Sequence, residues 1–406
     1  MKKAYLHTFG CKVNQYETQL IREQLRIQGY DLTTRSEEAD LVIVNSCSVT
    51  AEAERQCRQL LRKTARVNPG AEIIATGCYA VRSQQELSNL APSIKVMADK
   101  NKFIHDAKAI TSFNEHSRAF VKIQDGCDAF CSYCIVPYVR PVLWSKPHDE
   151  IVKEVQQLIT SGYPEIVLTG IRLGKYDGGL SALLKDLISL EGDFRIRLSS
   201  LELLEVTPEL LTLMSANPGK LCSHLHIPLQ SGSDTVLRRM NRPYTQKKFA
   251  EIIASVKSHL PDCGITTDVI IGFPGESDSE FNETYDFLQK QSLSKLHVFT
   301  YSPRPGTKAA LSREHVPVHI VKQRYKMLQE LDRELGEKFW RSFIGSTRTV
   351  VREGKKGTAL TDNYIRLRVN STSHSNFNGI LNMTIKEHEG APMGEPKANK
   401  ELWKAP

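Results

Sequence analysis

Apolar and polar positions alternate along this chain in three successive registers. Up to about residue 117, short β-branched or aromatic runs at 4–9, 41–45 and 72–76 each end at a turn and read as buried strands. Between them, residues 19–28 and 52–67 repeat their apolar positions every three or four residues, as amphipathic helices do. Strand, helix and strand in that order predict a small doubly wound domain around a parallel sheet. From about 118 to 312 the alternation continues, with strands at 120–124, 166–169, 195–199, 224–228, 266–272 and 297–301 and helices such as 149–161, 180–190 and 246–260. Six such repeats predict a partial or full β/α barrel with its chemistry at the carboxyl ends of the strands. The proline-rich stretch 303–317 reads as a loop into a long helix, whose Val321, Tyr325, Leu328, Leu331, Leu335 and Phe339 fall on one buried face. Beyond residue 342 the period drops to two, at 347–352, 364–369 and 380–387, and predicts a small all-β domain. The expected organisation is therefore α/β with domains at 1–117, 118–343 and 344–406.

A length of 406 residues exceeds what one hydrophobic core sustains, which agrees with several domains. Hydrophobic content of 40% with 25% charged residues is that of a packed soluble protein and excludes a disordered chain. After Met1-Lys2-Lys3, only Ala4, Tyr5 and Leu6 precede His7, too short a run for a secretory leader. No apolar run reaches membrane-spanning length, so a cytoplasmic protein without a membrane partner is expected, its thiols reduced. The formal charge of +8 favours a polyanionic partner. Residues 341–406 hold eleven Lys or Arg against six Asp or Glu, which suits an RNA-binding β module; a solvated basic surface is the alternative.

Nine cysteines make an odd number, unsuited to a disulfide framework and better suited to metal or redox chemistry in a reduced compartment. Cys127, Cys131 and Cys134 form C-x3-C-x2-C after the strand at 120–124, with Gly126 ahead to permit a tight turn. Three thiolates on a four-iron cubane leave one iron without a protein ligand, open to a substrate or cofactor. Structural zinc, the competing reading, wants four protein ligands, usually as two separated cysteine pairs. Cys11, Cys47 and Cys78 are singletons, but each follows one of the first three strands with a single residue between. If those strands are parallel, the three thiols share one carboxyl edge, where ligands gather in such sheets. They then converge on a second cluster, and Gly10 and Gly77 let the backbone approach it. The alternative is three unrelated buried thiols. Cys57, Cys222 and Cys263 read as structural.

The segment Cys127-Asp-Ala-Phe-Cys131-Ser-Tyr-Cys134 resembles the signature of the radical S-adenosylmethionine (SAM) superfamily, and Ile135-Val136-Pro137 narrows the resemblance to the methylthiotransferases. Similar segments recur at 8–17 (TFGCKVNQYE), 44–50 (VNSCSVT), 75–78 (ATGC), 226–233 (HIPLQSGS) and 270–276 (IIGFPGE). The C-terminal region looks like the RNA-binding domain called TRAM, an OB-like barrel. The resemblance implies two [4Fe–4S] clusters, one on Cys127, Cys131 and Cys134, where S-adenosyl-L-methionine binds the open iron and is cleaved to a 5′-deoxyadenosyl radical. The other, on Cys11, Cys47 and Cys78, carries the sulfur that is methylated and delivered. It further implies that Tyr133, Gln230, Ser231 and Gly232 line the cofactor pocket and that Gly170 lies near its methionine end; no catalytic residue is assigned beyond the cluster ligands. The implied partners are tRNA and an electron donor such as a flavodoxin-type protein.

Within that family, residues 10–16 (GCKVNQY) resemble the enzymes acting at C2 of N6-threonylcarbamoyladenosine at position 37 of tRNA. Isopentenyladenosine in tRNA and an aspartate of a ribosomal protein are the alternative substrates. A zinc-stabilised RNA-binding protein is the rival outside enzymology. The chain departs from the family's Arg-Gly and Arg-Ser-Arg pattern with Arg140-Pro141 and Trp144-Ser145-Lys146, and the segment 169–177 (TGIRLGKYD) lacks its usual final glycine. Proline fixes φ and removes a donor there, which puts the loop's shape and its RNA affinity in question.

Overall fold

The computed structural model describes residues 1–99, 103, 108–113, 117–353, 357–369 and 379–396. In the N-terminal part, β1 (Lys3–Thr8), α1 (Lys12–Ile27), β2 (Asp31–Leu32), β3 (Leu41–Ser46), α2 (Ala51–Val67), β4 (Glu72–Gly77), α3 (Cys78–Arg82), α4 (Gln84–Ser88) and β5 (Ile94–Val96) follow one another. The strands pair in parallel in the order β2-β1-β3-β4-β5, the arrangement of doubly wound sheets. Apolar clusters cover both faces, so the central strand β3 is buried along its whole length and reads as a continuous apolar run. Helix α1 starts at Lys12, well before the expected 19–28. Its first turns bury Asn14, Glu17, Thr18 and Gln19, polar side chains that erase the apolar periodicity on which the expectation rested.

The central part comprises β6 (Arg118–Lys122), β7 (Gln124–Asp125), α5 (Val136–Val139), β8 (Trp144–Ser145), α6 (His148–Thr160), β9 (Glu165–Thr169), α7 (Leu180–Ile188), β10 (Arg195–Leu198), α8 (Pro208–Ala216), β11 (His224–His226), α9 (Asp234–Arg239), α10 (Gln246–His259), β12 (Gly264–Ile271), α11 (Asp278–Lys290), β13 (Lys295–Thr300) and α12 (Val318–Arg341). Strands β6, β9 and β10 form one parallel sheet and β11, β12 and β13 another. Parallel bridges Ile196–Leu221 and Ser200–His226 join the two, giving six strands in chain order. Among the described residues β6 and β13 remain its edges. The main apolar core lies between these strands and their helices, and Leu328, Leu331 and Leu335 of α12 belong to it.

The C-terminal part contains β14 (Thr347–Arg352), β15 (Thr358–Thr361), β16 (Arg366–Val369), β17 (Ile380–His388) and β18 (Ala391–Pro396), which close into a barrel in the order β14-β15-β16-β18-β17. Strand β18 was hidden by its prolines. Pro392 and Pro396 fall beyond the short contact of Met393 and Gly394 with β16, so each needs ladder partners on one flank only. Arg195 donates to the carbonyls of Thr349 and Leu360, both at 2.9 Å, and Arg197 to those of Thr361 and Asp362, both at 3.0 Å. The barrel thus docks on the amino ends of the central strands. Tyr364 stacks on His224 at 4.1 Å beneath the Arg197 guanidinium, so it packs this joint. Cys222 and Cys263 are buried just ahead of β11 and β12, and Cys57 is buried in α2. Of the basic residues counted above, Lys355, Lys356, Lys397, Lys400 and Lys404 lie outside the described residues. Among the described residues no helix is long and apolar enough to cross a membrane.

Candidate functional site

β1, β3 and β4 are adjacent and parallel, with Thr8 beside Asn45 and Asn45 beside Thr76. Cys11 at the start of α1, Cys47 just past β3 and Cys78 at the first position of α3 therefore stand at one sheet edge. Gly10 (φ +104°) and Gly77 (φ +91°) hold left-handed turns there. A Cβ on Gly10 would lie 2.9 Å from Cys47 Sγ, and one on Gly77 would lie 2.4 Å from Asn45 Oδ1, so no side chain fits at either turn. Burial pushes the Cys47 thiol up to about 12, and Cys78 and Cys11 are near enough to add to the rise. Burial also raises the Cys11 thiol, against the nearby Arg140. Cys11 is nevertheless exposed, whereas Cys47 and Cys78 are buried.

The second triplet occupies the loop between β7 and α5, at the carboxyl end of β6. Cys127 N–H donates to the Arg140 carbonyl at 3.3 Å and Cys134 N–H to the Cys131 carbonyl at 3.0 Å. Ser132 N–H donates to Met240 O and Ser132 O accepts from Ala309 N–H, so the loop is held from the far side of the sheet. Burial pushes the Cys134 thiol up to about 12, and Cys131 and Cys127 contribute electrostatically. Arg242 Nη1 donates to Cys131 Sγ at 3.3 Å and is itself anchored by Glu202.

Beside Cys134 lies a cavity of about 180 Å³ lined by Tyr133, Gln230, Asp268 and Tyr301, with Val49 and Thr50 from the N-terminal part closing one wall. Gln230 has φ +74°, a strained conformation for a residue with a side chain, held by main-chain bonds to Asp268 and Ile270. The Tyr301 hydroxyl has no partner in this wall. Tyr133, Gln230 and Cys134 are thus brought together. Ser231 and Gly232 instead bind Thr284 Oγ1, both at 3.1 Å, and shape the turn from behind. Gly170 lies against Gln124, whose side chain a Cβ at that position would meet at 3.0 Å. Arg242 and Asp268 were not singled out from the sequence, and Arg140 was named there only at the loop departure that ends in Pro141. Asp268 left a signal, a carboxylate interrupting an apolar strand; the arginines left none.

Arg140 and Lys146, at the departures noted above, are buried. Lys146 pairs with Glu154 at 2.7 Å, while Trp144 is left 43% exposed beside it. Neither cation is available to RNA.

A single zinc ion holds its sulfurs at about 2.3 Å, which brings them close together. Among the described residues no group of three or more Cys, His, Asp or Glu is drawn together as a ready site for a metal ion. Thiolates on a cubane each grip a different iron and stand wider apart. The three-thiol sets, the Cβ-free turns and the cavity beside Cys134 fit two such clusters.

Residues 3–99 match a family model described as uncharacterized protein family UPF0004, and residues 121–288 match the radical SAM superfamily. The threonylcarbamoyladenosine tRNA methylthiotransferase MtaB of Thermotoga maritima is 38% identical over 379 residues, 87% of each chain. That of Bacillus subtilis is 36% identical over 90% of each chain. The chain belongs to the radical SAM tRNA methylthiotransferase family. A tRNA-2-methylthio-N6-dimethylallyladenosine synthase of Geobacter metallireducens, with a different substrate in its name, is 32% identical over 88% of this chain and 89% of its own. Among solved structures, the radical S-adenosylmethionine methyltransferase TsrM of Kitasatospora setae, determined with cobalamin and a [4Fe–4S] cluster bound, superposes with a TM-score of 0.55 over 77% of each chain at 12% identity, which shows a shared fold. Family membership agrees with the parallel α/β architecture described above.

Proposed function

We propose that this chain is a tRNA-modifying enzyme that adds a methylthio group to C2 of N6-threonylcarbamoyladenosine at position 37. The observation that supports the reading is the placement of Cys11, Cys47 and Cys78 at the carboxyl edge of the N-terminal sheet and of Cys127, Cys131 and Cys134 in the loop after β7, with Arg140 touching both sets. Cys127, Cys131 and Cys134 would hold one [4Fe–4S] cluster, and Cys11, Cys47 and Cys78 a second. When bound, the clusters and S-adenosyl-L-methionine supply reductive radical chemistry and the transferable sulfur, fed by a one-electron donor of the flavodoxin type.

The chain's own work is binding, orientation and exclusion of water. A three-thiol set leaves one metal corner free for an exchangeable ligand. Gln230, Tyr133 and Asp268 present an amide, a phenol and a carboxylate to the cavity beside that set, a combination that orients a ligand carrying amine, hydroxyl and aromatic groups. Val49 and Thr50 close the cavity from the N-terminal part, so water is excluded only when both parts are in place. Ser231, Gly232 and Gly170 support it by shaping the turns behind.

The C-terminal barrel, of the TRAM type, would grip tRNA through phosphate contacts. It docks at the amino ends of central strands three to eight residues long, the end away from the cysteines. At about 3.3 Å per residue, those strands set the barrel about 10–26 Å back from their carboxyl ends. The domains run 1–117, 118–343 and 344–406 on this reading. Nucleoside mass spectrometry of tRNA from a strain lacking the gene tests it. Loss of the 2-methylthio form with retention of threonylcarbamoyladenosine is expected, and loss of the isopentenyl derivative instead would reassign the substrate.

A further inference from the structure

Arg140 touches both triplets. Its buried guanidinium donates from Nε to Cys78 Sγ at 3.3 Å and from Nη2 to Asn14 Oδ1 at 2.8 Å. It also makes a two-point contact with Glu17, both at 2.9 Å, and donates from Nη1 to both oxygens of Asp125 at 2.8 and 2.7 Å. Its carbonyl accepts from Cys127 N–H at 3.3 Å. Asn14 extends the reach, because its Nδ2 donates to Phe9 O at 2.9 Å and Ser46 O at 3.0 Å, in the turns that carry Cys11 and Cys47. Lys122 supplies a second cation against Glu17 at 3.1 Å and Asp125 at 3.0 Å. Arg140 and Lys122 both pair with Glu17 and Asp125, and the Arg140 Nε–H is directed at sulfur.

We propose that Arg140 is a positioning residue that fixes the separation of the two cysteine triplets and raises the reduction potential of the group held by Cys11, Cys47 and Cys78. The inference rests on the two-cluster reading above. A guanidinium N–H at a ligating sulfur favours the more negative, reduced state, and the planar fork binds sulfur, amide and carboxylates at once where an ammonium cannot. In both variants named next the carbonyl link to Cys127 survives and the fork that holds Cys78 sulfur and Asn14 together is lost.

The test is an anaerobic redox titration of the reconstituted full chain followed by electron paramagnetic resonance, comparing wild type with Arg140→Lys and Arg140→Gln. Cys47→Ala, which removes one signal, assigns the other. Expected are a fall in the N-terminal midpoint of at least a tenfold change in the reduction equilibrium for Arg140→Gln, 59 mV for a one-electron couple. A smaller fall is expected for Arg140→Lys, with an unchanged midpoint at the other signal and weakened dipolar coupling between the two. Arg140→Lys keeps a cation against Glu17 and Asp125, so it decides the matter if Arg140→Gln does not fold. Wild-type midpoints and coupling in a folded variant with full iron content overturn the inference alone. A single signal in wild type would instead bring down the two-cluster reading, and this inference with it.

Discussion

Replacing Glu165 by glutamine is expected to destabilise the protein by about 3–5 kcal/mol, the usual cost of removing one partner of a buried ion pair. The carboxylate is fully buried and accepts from Arg195 Nε at 2.7 Å and from Arg197 Nε and Nη2 at 2.8 and 3.0 Å, with Arg118 at 3.4 Å. Burial alone would raise this carboxyl, but Arg197 and Arg195 overcome it and hold the group well below the ordinary carboxylate range. Glutamine keeps one acceptor oxygen and turns the other into a donor that faces donors. Arg118 retains Glu353 at 3.1 Å, so the uncompensated cations are Arg195 and Arg197, the two that hold the C-terminal barrel. The loss therefore falls on that joint. Urea unfolding of the metal-free protein followed by circular dichroism should show the full decrement, and limited proteolysis should cut first in the turn at 342–346. A loss below about 1 kcal/mol with an unchanged cleavage pattern would refute the assignment of Glu165 as the anchor of the joint.

Cys131→Ala should remain soluble but form no 5′-deoxyadenosine from S-adenosylmethionine under reducing conditions; measurable formation contradicts the cluster assignment. Cys47→Ala should still form 5′-deoxyadenosine while yielding no methylthio product, and full product yield would remove the N-terminal triplet from the reaction. Arg368, exposed on β16, should contribute one phosphate contact, so Arg368→Ala should lower the slope of log affinity for tRNA against log salt by about 1. Burial pushes the Cys57, Cys222 and Cys263 thiols up to about 12. The folded chain keeps these protons after the unfolded chain has lost them, so stability is full below about pH 8.5 and falls from there towards 12, by about 1.4 kcal/mol per pH unit per thiol. Urea midpoints of the metal-free protein at pH 7.5 and 9.5 check this, and equal midpoints contradict it.

The parallel N-terminal sheet and the six-strand central series were legible because buried parallel strands are continuous apolar runs, and the cysteines were legible because each follows such a run. Helix α1 was truncated in the sequence reading because its buried face is polar, and β18 was missed because its prolines read as loop. Arg140 and Arg242 illustrate the harder failure. A lone arginine is ordinarily solvated, and only the folded chain shows that these two are buried against sulfur. The basic excess near the C-terminus was legible as charge, yet Arg341, Arg348, Arg366 and Lys386 are already paired with Glu337, Asp362, Glu353 and Glu395. Charge counts record residues and not their partners.

Anaerobic reconstitution with S-adenosylmethionine, a reductant and tRNA bearing N6-threonylcarbamoyladenosine, followed by mass spectrometry of the nucleosides, addresses the activity directly. The account predicts conversion to the 2-methylthio derivative, carried by a protein binding about eight irons. An iron-loaded protein that cleaves S-adenosylmethionine yet leaves this nucleoside unmodified would contradict it.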